Sequence, residues 1–136
     1  MAAEADALID LMPLARQLGI EISSASAAEV VGRLPWRAEL CTAGGVLHGG
    51  ALMTLADSLG AICAFLNLPE GAQTSTIESK TNFFRAVREG EAIATTRPLH
   101  VGRMTIVVQT DIQDGSGRRV AQATQTQAVL QREARD

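Results

Sequence analysis

The sequence predicts an α+β fold, an antiparallel sheet wrapped around one long apolar helix. Three observations predict it. Between His48 and Leu66, the residues Leu52, Leu55, Leu59, Ile62 and Leu66 fall at i, i+3, i+7, i+10 and i+14, one stripe at the helical period. After Leu68-Pro69-Glu70-Gly71 the pattern becomes strand-like, and four successive runs are separated by short turns. Short turns favour antiparallel neighbours. The helix is also too rich in Leu, Ala and Gly to lie on a surface, so the economical arrangement covers it with the sheet.

The elements follow in chain order. Glu4 to Leu18 carries Leu8, Ile9, Leu11, Met12, Ala15 and Leu18 before Gly19, a short amphipathic helix with a glycine stop and a dividing Pro13. Ile20 to Ile22 and Glu29 to Leu34 read as strands. Pro35 to Gly45 reads as a loop with Trp36 near its start. The central helix runs from about His48 to Leu66 and stops at Asn67. Residues 74–83 then alternate as a strand. Arg88-Glu89-Gly90-Glu91 is a turn, and Ala92 to Val101 is the next run, with Pro98 marking an edge or a bulge. Met104, Ile106, Val108 and Ile112 give a strand with one buried face. Asp114-Gly115-Ser116-Gly117 is a hairpin turn. Arg119 to Leu130 is the last strand, rich in Gln, Thr and Ala.

Composition narrows the function. The 136 residues suit a single domain, with residues 1–18 as a helical extension. Only 3% are aromatic, with no Tyr, which argues against a stacking platform for single-stranded nucleic acid. The formal net charge is −3 without a basic run, which argues against a polyanion partner. A small phosphorylated ligand needs only a few arginines and stays open. Cys41 and Cys63 have no metal-ligand spacing and read as reduced thiols. The start, Met-Ala-Ala-Glu-Ala-Asp, lacks a basic n-region, and no apolar stretch reads as a membrane span. The expected compartment is the cytoplasm.

The most informative stretch is Leu47-His48-Gly49-Gly50 followed by Leu55-Ala56-Asp57. Two glycines and a histidine stand at the mouth of the helix. The first N–H groups of a helix have no intrahelical partner, and the helix dipole favours negative charge there. An oxygen that gains charge during acyl transfer suits that end. Gly50, Thr54, Asp57, Ala61 and Ala64 form a second helix face, small apart from the acid, with room for a ligand beside it. A helix this apolar is expected to be largely buried, and a buried carboxylate needs a partner or a task. For His48 the better reading is a helix-end residue whose ring satisfies nearby backbone, since no nucleophile accompanies it. A Cys41–His48 nucleophile lacks an orienting third group. A thioester carbonyl is already activated, so an acid and backbone donors suffice to hydrolyse it, with no metal.

In this order, His-Gly-Gly at the helix start and Leu-Ala-Asp within it, the chain resembles the hot-dog-fold acyl-CoA thioesterases. The likeness is greatest to the phenylacetate-pathway type and its relatives acting on 4-hydroxybenzoyl and fatty acyl-CoA. It covers about Ile20 to Leu130, and Thr81-Asn82-Phe83-Phe84-Arg85-Ala86 with Gly90-Glu91 belongs to it. The resemblance implies an acyl-CoA thioesterase with Asp57 as general base or nucleophile. It implies that the Gly49 N–H polarises the carbonyl, that His48 supports it, and that Ser75 helps hold the attacking water. Arg85 is implied as a contact for the coenzyme A phosphates. Arg88 and Arg103 join it in a charged rim. Coenzyme A enters as part of the substrate, with no separate cofactor. The family forms homodimers with active sites shared across the interface, paired into tetramers. One position departs from the pattern: fifteen residues before the acid, where the family carries Asn or Gln, stands Thr42, whose hydroxyl reaches less far.

Three other readings compete. A non-catalytic acyl-CoA binding or sensing module is kept open by Thr42. A thioesterase acting on acyl-carrier-protein substrates would use the same charged rim. A hydratase would want an Asp–His pair, and neither His48 nor His100 offers one. Ala61 and Ala64 suggest room for a medium-chain or aromatic acyl group.

Overall fold

The computed structural model describes residues 2–131. Helix α1 spans Ala2–Asp10 and α2 spans Pro13–Leu18. The N-terminal segment is therefore two helices. Pro13 has no N–H to continue a ladder and takes the first turn of α2, where none is needed. Gly19 ends α2 at φ 85°, and its N–H donates back to Arg16 O at 3.0 Å.

Strands β1 (Glu21–Ala25) and β2 (Val30–Pro35) follow, then a 3-10 turn at Ala38–Leu40. The segment expected as a loop, Pro35 to Gly45, contains a short strand, β3 (Cys41–Thr42), which pairs with β4 (Val46–Leu47) just beyond it. The central helix α3 spans Gly49–Leu66. Strands β5 (Gln73–Phe83), β6 (Glu91–Val101), β7 (Thr105–Asp114) and β8 (Arg119–Leu130) complete the elements of the described residues. The main sheet is antiparallel throughout, in the order β1-β2-β6-β7-β8-β5. It wraps around α3, which touches β2, β5, β6, β7 and β8. This is the α+β hot-dog arrangement.

Two expectations change. Strand β5 does not pair with β6, the next in sequence; it crosses to the sheet edge beside β8. Pro98 marks a bulge and not an edge, since β6 lies between β2 and β7 with a register shift between Pro98 and His100.

The core is set by the helix stripe and the inward strand residues. Leu55, Leu59, Val30, Leu34, Ile106, Val108 and Ile112 are fully buried. At Gly32 on β2 an added Cβ would stand 2.8 Å from Glu21 O and 3.0 Å from Leu59 Cδ1, so only glycine lets the helix settle this close. Thr96 and Thr110, paired across β6 and β7 and buried, bond to each other at 2.6 Å. With 18 residues and a mean hydropathy of 1.5, α3 is long and apolar enough to cross a bilayer, yet here it is a core helix packed on the sheet. Both cysteines are free; burial pushes the Cys63 thiol up to about 11.

One line along α3 stays uncovered. Gly50, Asp57 and Phe65 are exposed, and Thr54 and Ala61 are half-buried between them. Ala64, expected on this line, is fully buried. Asp57 was expected in a buried setting; within the single chain it is exposed.

Candidate active site

The helix mouth is built by the β3–β4 ribbon. The His48 N–H donates to Leu40 O and the Leu47 N–H to Val87 O, both at 2.9 Å, which fixes the chain as it enters α3. His48 is the N-cap, and its Nδ1 accepts the Gly50 N–H at 2.7 Å. Nδ1 thus serves as the acceptor in the cap, which leaves Nε2 as the other ring nitrogen. A Cβ at Gly50 would stand 2.9 Å from that nitrogen, so the second glycine makes room for the cap. Gly49 opens the helix, and its N–H lies ahead of the intrahelical ladder. Its Cα faces the Phe83 ring, which an added Cβ would meet at 3.3 Å.

Asp57 lies further along the uncovered line. Its Oδ1 accepts a hydrogen bond from Nε2 of Gln125 on β8. Gln127 Nε2 donates to Thr76 Oγ1 at 2.9 Å, and Thr74 Oγ1 stands 3.3 Å from Gln127 Oε1. Thr74 and Thr76 therefore share the face of β5 that meets the buried glutamines. Alternation puts Ser75 on the opposite face. Thr76 Oγ1 stands 3.5 Å from the Gln125 Nε2 that bonds Asp57, and within the chain Ser75 is not brought to that contact.

Two concavities flank the line, one walled by α2 and the other by α1 and the link between the two helices. One, of about 340 Å³, is lined by His48, Gly50 and Thr54 together with Leu14, Leu18 and Cys41. The other, of about 190 Å³, is lined by Leu8, Leu11, Met12, Ala61, Ile62, Phe65 and Thr74 and is almost wholly apolar. It begins one helical turn beyond Asp57.

Within one chain, Gly49 and Asp57 are separated by two turns of helix. At 1.5 Å per residue their backbones stand ~12 Å apart. One thioester carbonyl cannot receive a hydrogen bond from the first while a water held by the second attacks it. If both act on one carbonyl, they come from different copies of the chain.

The remaining candidates divide. Thr42 is exposed on β3, paired with Val46, on the ribbon that leads into His48. Arg85 and Arg88 lie together, with Arg118, around a concavity of about 690 Å³ that also holds Asp114 and Ser116. Leu47 is tied to Val87 in the same segment, so this concavity adjoins the helix mouth. Arg103 is not with them in the chain. It sits in the turn after β6, and β6 is eleven residues long. At ~3.3 Å per residue that places it on the order of 30 Å from Arg88. His100 is exposed beyond the β6 bulge. Among the described residues, no three His, Cys, Asp or Glu side chains converge as metal ligands.

Residues 44–121, more than half of the chain, match the Thioesterase superfamily. The chain belongs to this superfamily. A protein of Vibrio cholerae named as an esterase is 41% identical over 85 residues, 62% of this chain and 57% of its own length. The 1,4-dihydroxy-2-naphthoyl-CoA hydrolase of Escherichia coli is 35% identical over 86 residues, 63% of each chain. This chain thus spans less than two thirds of the length of both relatives. The crystal structure of a thioesterase from Haemophilus influenzae superposes with a TM-score of 0.88 at 29% identity, covering 93% of this chain and 90% of that one. The matched thioesterase segment includes the His48 mouth, Asp57, β5 and the arginine segment.

Gln125, which bonds Asp57, and Thr76, beside Gln125, are the residues at this place that sequence reasoning missed. One signal was available. Gln125 and Gln127 occupy alternate positions in β8, in phase with Ala121, Ala123 and Val129, which marks them as inward-facing polar groups in need of partners.

Proposed function

We propose that this superfamily member is an acyl-CoA thioesterase working as a homodimer with shared active sites. The observation that carries the reading is the exposed Asp57 carboxylate, on the uncovered line of a core helix beside an apolar concavity. An apolar acyl group, medium-chain or aromatic, occupies the concavity between Leu11, Ala61 and Phe65. The coenzyme A phosphates meet Arg85 and Arg88, with Arg118 beside them. This agrees with their place next to the helix mouth, where Gly49 awaits the carbonyl.

In the reaction, Asp57 takes a proton from a water, whose oxygen attacks the thioester carbon. Charge collects on the carbonyl oxygen and is met by the Gly49 N–H of the other copy, at the positive end of α3. The intermediate collapses to the free acid, and the thiolate of coenzyme A leaves and takes up the proton. Likeness to a hydrolase named for an aromatic acyl-CoA supports the class of substrate. Thr42, in place of a longer amide, favours a second reading, a module that binds acyl-CoA without turnover.

Thiol release from a panel of short, long and aromatic acyl-CoAs tests the proposal. Wild type is expected to release thiol, and Asp57→Asn to lose turnover by at least about a hundredfold, as removal of a positioned base does. Tight binding without release, indifferent to Asp57→Asn, would establish the binding module instead. Release from acyl-carrier-protein thioesters alone would move the substrate to that class. Heavy oxygen entering Asp57 in a single turnover in labelled water would make the acid a nucleophile and not a base.

A further inference from the structure

Gln125 is only 2% exposed and lies on the inward face of β8. A buried primary amide must find hydrogen-bond partners. Its Nε2 donates to Asp57 Oδ1 and stands 3.5 Å from Thr76 Oγ1. A carboxylate accepts only, so the amide turns its nitrogen towards Asp57. Its oxygen then points at α3. At Gly60 an added Cβ would stand 1.8 Å from Gln125 Oε1, so any larger residue displaces the amide. Glycine is unfavourable in a helix interior, and here it makes the seat for this side chain.

We infer that Gln125 is a positioning residue for the Asp57 carboxylate, seated by Gly60 and steadied through Thr76 and Gln127. The role in turnover rests on the thioesterase reading; the contact itself does not. Asp57 is otherwise an exposed side chain on a surface line, free to rotate. A hydrogen bond to a charged acceptor is short and directional, and it fixes the carboxylate rotamer. Gln125 engages Oδ1, which leaves Oδ2 for the attacking water of the proposed reaction. Rigid support of this kind holds a base within the narrow range of geometries that attack requires.

Nuclear magnetic resonance of side-chain amides, followed by kinetics, tests the inference. The Gln125 NH₂ signals, assigned by their loss in Gln125→Met, are expected to move in Asp57→Asn and again in Gly60→Ala. These shifts need no turnover. On the acyl-CoA that the chain hydrolyses best, Gln125→Met is expected to lower kcat about tenfold or more with KM unchanged. Gly60→Ala does the same, and the double variant is no worse than the worse single one, because both remove one interaction. Gln122→Met is the control: Gln122 lies on the other face of β8, bonded to Asp111 at 2.9 Å, and its loss leaves kcat as in wild type. Gln125 signals indifferent to Asp57→Asn would overturn the inference. So would wild-type kcat in Gln125→Met, or a loss confined to KM. No thiol release by the wild-type chain would overturn the thioesterase reading alone, and the amide signals would still decide the contact.

Discussion

His48, Gly49 and Gly50 occupy three consecutive positions and do three different things. The histidine ring takes the Gly50 N–H, Gly50 gives the ring its space, and Gly49 presents the N–H that remains. That division allows a clean substitution. His48 sits at φ −60° and ψ 134°, the conformation a residue before proline prefers, and proline is well tolerated at the first helical position. Gly49→Pro therefore deletes one N–H and keeps the backbone path, with the exposed Phe83 ring giving way by a few tenths of an ångström to the added Cβ. We expect it to fold with an unchanged far-ultraviolet spectrum and to lose kcat by about 10²–10³, as removal of an oxyanion donor does. These residues were legible because the motif is contiguous and its acid is two helical turns away. Gln125 was not: it lies 68 positions from Asp57, and only the register of β8 brings it there. Ser75 lies on the face of β5 opposite Thr74 and Thr76, which meet the buried glutamines. A run of hydroxyls at 74–76 carries no apolar mark to set the alternation, and a bulge follows between Thr76 and Glu78.

Helix α3 and the hairpins were readable at the scale of elements because their apolar period and turn residues agree. The Asp114 turn between β7 and β8 shows why the turn chemistry is informative. Asp114 Oδ1 accepts from the Ser116 hydroxyl at 2.7 Å, the Ser116 N–H at 2.9 Å and the Arg118 N–H at 3.0 Å. The Ser116 hydroxyl first, then the Arg118 N–H, hold this carboxyl below the usual carboxylate range. A depressed folded-state value stabilises the fold above the unfolded pKa and stops doing so as pH falls through the folded value. Asp114→Ala is thus expected to melt a few degrees below wild type at pH 7, with the gap closing below about pH 4. A gap that persists unchanged at pH 3 in thermal melts would contradict this. Strand order was less legible. Nothing local in β5 tells it to cross to the edge, because that choice depends on β6 pairing back to β2 and β8 filling the place between. The split of the N-terminal helix was visible in Pro13, while the β3–β4 ribbon is too short, at two residues a strand, to show a period.

The whole molecule places its chemistry in separate regions. The helix mouth and the Arg85–Arg88 concavity lie together. Asp57 and the apolar concavity walled by α1 and the link to α2 lie two turns away. Apolar residues Ile77 and Phe83 are exposed on the edge strand β5, an unpaired edge that suits a second copy of the chain. Periodicity describes one chain's core and carries no sign of a partner; the proposed assembly is argued from the ~12 Å of helix between the donor and the base. The central claim is that one copy supplies Asp57 and another supplies the Gly49 N–H. Complementation tests it most directly: Asp57→Asn and Gly49→Pro chains, each nearly inactive, are mixed in equal amounts, unfolded, refolded together and assayed for thiol release. Random pairing makes half the dimers mixed, each with one intact site, so about one quarter of wild-type activity should return, the additive arithmetic for independent sites. Activity no greater than the sum of the two separate variants would contradict the shared site.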